Sequence, residues 1–315
     1  MQFFQLQDHV VLCGVKSCLQ LIARAAPRLN LLKIWALADG TVISAREVVL
    51  TIEGPYWCFA FLEGQIDGIL AHQTTIATNA ARLVQSAGQN RIIYMNDRNN
   101  FADQQAREGY AAYVGGVRIF TAQGQTQQLS DASVQTIGSI PHSFIQLYEG
   151  DLETALSDYR LTFPHESLTA LIDFNNDCLG TIRKIKNLLP LLFAVRIDTS
   201  PRLIDRALTG VTPAQFGVTP LLVSRVRTLL DDLGHHNIKI IVSSGFTPTK
   251  INAFRQLKAP VDFFGVGLAF NQNLISFTGD AVKNNDHLCA KTGRKYRFNS
   301  RLKRIDTSQL KTSDA

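Results

Sequence analysis

From Arg91 onward the chain alternates short apolar, β-branched runs with segments of helical spacing. The runs Ile238–Gly245 (IKIIVSSG) and Val261–Asn271 (VDFFGVGLAFN) set the pattern, each stopping in glycine. Such runs mark strands buried on both faces of a parallel sheet. They predict strands at Ile92–Met95, Tyr113–Val117, Ile137–Ile140, Leu168–Asp173, Leu192–Asp198, Ile238–Ser243 and Val261–Val266. Helical spacing is predicted over Gln104–Ala112, Ser143–Phe163, Thr181–Leu189, Pro220–Leu233 and Pro248–Leu257. Alternating strands and helices of this length specify βα units and a parallel sheet. Seven strands suggest an α/β barrel, closed or nearly closed, over 89–280.

The opening follows another rhythm. Met1–Gly14 alternates loosely, as a strand ending at Gly14. Val15–Ala26 has helical spacing and Pro27 stops it. Ile34–Gly54 predicts strand, turn and strand around Asp39–Gly40. Phe59–Ala87 predicts one or two helices, rich in Ala and Thr and so suited to packing against a flat partner, with Gly88 as C-cap. Residues 1–88 therefore form a small α+β unit with linking helices. Past Asp280 the barrel rhythm stops, and Leu288–Phe298 reads as a strand or hairpin. The segment 281–315 is expected to return and complete the small unit.

Composition narrows the classes. At 315 residues and 45% hydrophobic, the chain can build a full core. Its longest apolar runs, such as Leu188–Val195, are too short to cross a bilayer. Met1–Leu12 lacks a basic start with an apolar block, so no signal peptide is expected. The five cysteines are odd in number, scattered and without CxxC, which fits a reducing cytoplasm and offers no zinc site. Much of the net charge of +6 lies in the tail Lys291–Lys311, with no aromatic ladder or helix-turn-helix pattern beside it. Neither a nucleic-acid nor a membrane partner is expected.

On a parallel barrel, chemistry belongs at the C-terminal strand ends. Those ends carry Arg98, His142, Asp173, Arg196, Asp198, Ser244, Gly245, Gly265 and Gly267. Arginines supply bidentate donors and glycine loops supply backbone donors, a set suited to an anionic, phosphate-bearing substrate. The carboxylates could hold a divalent cation or face developing positive charge; no metal ligand set is identified. Plainer readings stand beside these. Asp173 and Asp198 could be N-caps, His142 could cap the helix that follows it, and Arg98 could pair with Asp97 or Asp103 on the surface. His165, His235 and His236 flank helices, His9 and His287 fall in the small unit, and His72 is ambiguous.

Several segments together resemble the nicotinate phosphoribosyltransferase family, in its shorter bacterial form. Among them are MQFFQLQDHVVLCGV, DGILAHQTTIATN, GYAAYVGG, GSIPHSFIQ, LIDFNNDC, VRIDTSPRLID, IKIIVSSGFTPTKI and APVDFFGVG, in family order over nearly the whole chain. The resemblance implies a type II phosphoribosyltransferase: an incomplete (β/α) barrel with a smaller sandwich-like domain, working as a homodimer. It implies formation of nicotinate mononucleotide and pyrophosphate from nicotinate and phosphoribosyl pyrophosphate, with Mg2+ and with ATP as co-substrate, in NAD biosynthesis. It further implies that ATP phosphorylates His142, that Arg98 and Arg196 hold the base, its carboxylate or phosphates, and that Asp198 contacts ribose. Gly245 and the Gly265–Gly267 turn would then grip the 5′-phosphate.

The chain departs from that pattern at Asp198–Pro201, Gln125–Gln135, Arg118 and His72–Gln73, where family members carry phosphate or base contacts. Relatives also carry a leading segment ahead of the position equivalent to Met1–Gln5, whose aromatic residue stacks on nicotinate. Two alternatives therefore stay open: another pyridine base as acceptor, or a non-catalytic or truncated paralogue that binds phosphoribosyl ligands.

Overall fold

The computed structural model describes residues 1–310; Lys311 and residues 312–315 of the expected tail lie outside them. The chain divides into two compact units. The first comprises Met1–Ala81, Tyr110–Gly116 and the chain from Phe270; the second comprises Arg82–Gly109 and Val117–Ala269.

The first unit is built on an antiparallel five-stranded sheet in the order Phe277–Asp280, Gln2–Gln5, Leu50–Glu53, Lys33–Ala36, Lys303–Ile305. The tail thus returns to this sheet, as expected, through Lys303–Ile305. Phe277–Asp280 joins it as well, although the sequence rhythm gave that stretch to the barrel segment. Leu288–Phe298 is not one strand: His287–Leu288 pairs with Lys283–Asn284 in a short hairpin. Met1–Gly14 is likewise two strands, Gln2–Gln5 and Val10–Val11. The helix Val15–Ala25 starts where Asp39 accepts hydrogen bonds from the Val15 and Lys16 amides, since Gly14 brings no capping side chain. The long helix Glu63–Ala87 runs against the segment that holds Val10–Val11. Thr74 and Thr78 accept from the Cys13 and Val11 amides, so hydroxyls at helical spacing run along a strand edge.

The second unit carries seven parallel strands: β1 (Ile92–Tyr94), β2 (Ile119–Phe120), β3 (Gln135–Thr136), β4 (Leu168–Leu171), β5 (Leu192–Ile197), β6 (Lys239–Val242) and β7 (Phe263–Val266). They pair in the order β3-β2-β1-β7-β6-β5-β4. That is a barrel order, with neighbours in sequence side by side and β7 returning to β1. The ring stays open between β3 and β4, so the barrel is incomplete. Just past β3, Ile137 still donates to Phe120 on β2, while the Ile140 amide donates to Thr169 on β4. One backbone bond therefore reaches across the seam where a strand pair is missing.

Three further predicted elements are corrected. The strand expected over Ile137–Ile140 lies at Gln135–Thr136. Tyr113–Val117 is not a strand: the helix Gln105–Val114 runs through Tyr113, and the strand begins at Ile119. Gly115–Gly116 ends the helix, Gly116 at φ 103° taking the left-handed conformation of a C-terminal cap. The helix predicted over Ser143–Phe163 is two, His142–Leu147 and Leu152–Thr162. Glu149 and Gly150 turn left-handed, and Asp151 caps the second helix by accepting from Glu153 and Thr154. Among the described residues no helix is long and apolar enough to cross a membrane.

Candidate active site

Alternate residues of a strand face the same side. In the barrel, Ile93, Ile119, Ala194 and Ile241 pack together. Two residues further along these strands come Met95, Arg196 and Ser243, and Leu171 leads in the same way to Asp173. The apolar layer thus gives way to a polar one at the C-terminal strand ends. Gly265 sits between Met95 and Ser243: a Cβ there would stand 2.5 Å from Met95 Sδ and 3.2 Å from Ser243 Cβ. A Cβ on Gly267 would stand 2.8 Å from the Met95 carbonyl oxygen. Both glycines therefore have a packing reason that the glycine pattern alone did not show. Gly245 is different, with φ 71° and nothing within 4 Å of an added Cβ. It follows Ser244, itself at φ 76°, so two successive left-handed residues turn the chain beyond β6.

A polar chain links the strand ends. Arg196 donates from Nη1 to Ser139 Oγ at 2.5 Å and from Nη2 to Asp198 Oδ2 at 3.0 Å. Ser243 Oγ donates to Asp198 Oδ1 at 2.6 Å. Both Asp198 oxygens are thus engaged, and the carboxylate is fixed in orientation. Arg196 is mostly buried, and among the described residues its Nε has no hydrogen-bond partner. Beside this chain, His142 Nε2 stands 3.5 Å from Asp173 Oδ2. The Asp173 side chain is buried while His142 is 42% exposed, and Asp173 Oδ1 has no partner. The hydrogen bond to Asp173 raises the His142 pKa above its ordinary value. The Asp173 and Asp198 charges add to this, while burial and Arg196 oppose it.

The expected residues His142, Asp173, Arg196 and Asp198 are thus brought together, with Ser244 and Gly245 on the loop that follows Ser243. Arg98 lies at the end of β1 but is exposed, and no contact among the described residues ties it to the network or to Asp97 or Asp103. Asp173 and Asp198 cap no helix: Asp177 and Asp205 do that work nearby. Three contributors escaped the sequence reading: Ser139, Ser243 and Lys250, whose Nζ donates to the Ser244 carbonyl at 3.2 Å. Ser243 could have been found by counting two residues on from Ile241. A cavity of about 990 Å3 in the first unit, beside Trp35, Tyr56 and Tyr296, includes none of these side chains.

Comparison with known proteins bears on the fold. Residues 1–74 match the family model described as quinolinate phosphoribosyl transferase, N-terminal domain. A nicotinate-nucleotide pyrophosphorylase structure from Pyrococcus furiosus superposes with a TM-score of 0.77 at 25% identity, covering 93% of this chain and 72% of that one. In sequence and fold this chain is similar to the phosphoribosyltransferases and pyrophosphorylases that these comparisons name. Two nicotinate phosphoribosyltransferases are also similar to it. That of Mycobacterium tuberculosis is 25% identical over 238 residues, 74% of this chain and 47% of its own length. That of Bacillus subtilis is 24% identical over 234 residues, 74% of this chain and 44% of its own. The chain spans about half the length of the curated relatives it matches. The human nicotinic acid phosphoribosyltransferase structure shares the fold, with a TM-score of 0.63 at 16% identity over 88% of this chain and 69% of that one.

At these strand ends the spare donors and acceptors are few and specific. Arg196 Nε and Asp173 Oδ1 are buried and, among the described residues, have no hydrogen-bond partner. Among the described residues no group of three or more His, Cys, Asp and Glu could hold a metal ion. With both Asp198 oxygens engaged by Arg196 and Ser243, Asp173 is the carboxylate at these strand ends least committed within the chain.

Proposed function

We propose that this chain transfers phosphoribosyl to nicotinate, forming nicotinate mononucleotide and pyrophosphate, as a cytoplasmic homodimer. The single observation that carries the reading is the linked set Ser139–Arg196–Asp198–Ser243, beside His142–Asp173, at the C-terminal ends of the barrel strands. The ring nitrogen attacks the anomeric carbon of phosphoribosyl pyrophosphate while the C–O bond to pyrophosphate breaks. Positive charge develops on the sugar, and the fixed Asp198 carboxylate is the group that faces it. Arg196 fixes the orientation of that carboxylate and places a positive charge where an anionic oxygen of base or phosphate would lie. The Ser244–Gly245 turn receives the 5′-phosphate with backbone N–H groups. Magnesium carried by the substrate's phosphates would supply charge neutralisation for the leaving pyrophosphate.

ATP coupling runs through His142. The neutral imidazole attacks the γ-phosphoryl group, one P–N bond forms, one P–O bond to ADP breaks, and hydrolysis of the phosphohistidine regenerates the ring. With Asp173 accepting from Nε2–H, the lone pair left for attack is on Nδ1.

A second reading has specific support, because the matching family model is that of quinolinate phosphoribosyl transferase. Quinolinate would then be the base. Purified protein is assayed with phosphoribosyl pyrophosphate and magnesium, and with nicotinate, nicotinamide or quinolinate, each with and without ATP. Nicotinate turnover stimulated by ATP is expected. Turnover of quinolinate alone, indifferent to ATP, supports the second reading, and binding without turnover of any base supports a non-catalytic paralogue.

A further inference from the structure

Lys250 is the first-turn lysine of the helix Pro248–Gln256, which has no acidic residue in that turn. A cation at a helix N-terminus faces the positive end of the helix dipole, so the position is unfavourable on its own. The side chain is half-buried, with Nζ 4.3 Å from the Phe246 ring centroid and 6.0 Å from that of Phe254. Burial lowers its pKa, and no charged neighbour contributes. Its hydrogen bond to the Ser244 carbonyl uses one of three donors. A desolvated cation with spare donors and no counter-ion is costly unless an anion completes it. The donor lies against the turn formed by Ser244 and Gly245, where an added Cβ on Gly245 meets open space.

We infer that Lys250 is an anion-binding residue, the counter-ion of a phosphate monoester seated on the Ser244–Gly245 turn. The inference rests on the proposed reading of that turn and adds the charged group the turn itself lacks. The bond to Ser244 fixes Nζ beside the phosphate position.

The test is calorimetric titration of ribose 5-phosphate, and separately of nicotinate, into the wild-type protein and Lys250→Met. Methionine keeps the stem and removes the charge, so the variant is expected to melt no lower than wild type. Loss of one charge-assisted contact should weaken ribose 5-phosphate binding about ten- to a hundred-fold, with nicotinate binding unchanged within about two-fold. The salt dependence of ribose 5-phosphate binding should also flatten in the variant. Equal ribose 5-phosphate affinity in both proteins overturns the inference, and so does an equal loss for both ligands. Wild-type protein that binds ribose 5-phosphate through Lys250 but turns over no base leaves the inference standing and removes the transferase reading. Wild-type protein that does not bind ribose 5-phosphate removes both.

Discussion

Arg196 Nη2 lies 3.0 Å from Asp198 Oδ2, one step of strand alternation along the same chain end. The pair shares a face because strand side chains repeat every two residues, so Ala194, Arg196 and Asp198 follow one another from the apolar layer to the rim. Ser243 holds the other Asp198 oxygen from the next strand. Arg196→Ala should therefore free Asp198 on one side and remove the donor to the anion. A loss of about 100- to 1,000-fold in kcat/KM is expected, as for removal of one preorganised charged donor. Steady-state kinetics with phosphoribosyl pyrophosphate and nicotinate check this, and a loss under about three-fold contradicts the role.

Asp173 raises the pKa of His142, so Asp173→Asn should lower it. Histidine titration by NMR in the two proteins gives the answer directly. The linkage has a definite sign. A folded-state pKa above the unfolded value means that the pair stabilises the fold below the unfolded histidine pKa of about 6.5. That contribution disappears as pH rises through the folded value. In Asp173→Asn the low-pH stabilisation should be absent. ATP stimulation, which needs the neutral imidazole, should rise with pH in the wild type and rise at lower pH in the variant.

Gly265 and Gly245 should respond differently to alanine. At Gly265 the methyl meets Met95 and Ser243, one of them an Asp198 partner. Overpacking of this kind costs about 1–3 kcal/mol, visible as a lower Tm. At Gly245 the methyl meets open space, and the cost is the left-handed backbone, about 1–2 kcal/mol. Gly245→Ala should also raise the KM for phosphoribosyl pyrophosphate, because the methyl lies in the space assigned to phosphate. Equal melting shifts with unchanged KM in both variants contradict this distinction.

Ser139→Ala removes the side-chain bond that ties the segment after β3 to Arg196 on β5, beside the open seam. The expected loss is about 1–3 kcal/mol, since a charged donor loses its partner. Hydrogen exchange should rise first at Ile140, whose amide spans the seam to Thr169. Unchanged exchange at Ile140 contradicts a tying role for Ser139.

The barrel was legible in the chain because buried parallel strands write themselves as short apolar runs, and six of the seven runs lie on or beside an observed strand. Tyr113–Val117 misled because its aromatic and β-branched residues favour strand, while the turn that ends the helix is set by Gly115–Gly116. His142, Asp173, Arg196 and Asp198 stood out as charged or titratable residues next to strand ends. Ser139 did not, because a hydroxyl in a loop has no spacing signature; Ser243 stands two residues on from Ile241, but a serine at a strand end becomes meaningful only once its acceptor is in place. The glycines were legible as backbone specials but not as to cause: Gly265 answers to Met95 from another strand, a contact no local pattern encodes.

The most direct test of the account is a crystal structure with phosphoribosyl pyrophosphate and magnesium bound. The expected result places the sugar at the C-terminal strand ends, with Asp198 at the ribose, the 5′-phosphate on the Ser244–Gly245 turn, and His142 in the same cavity. Density for the sugar phosphate elsewhere on the chain, or at those strand ends without contact to Arg196, Asp198 or Gly245, would contradict it.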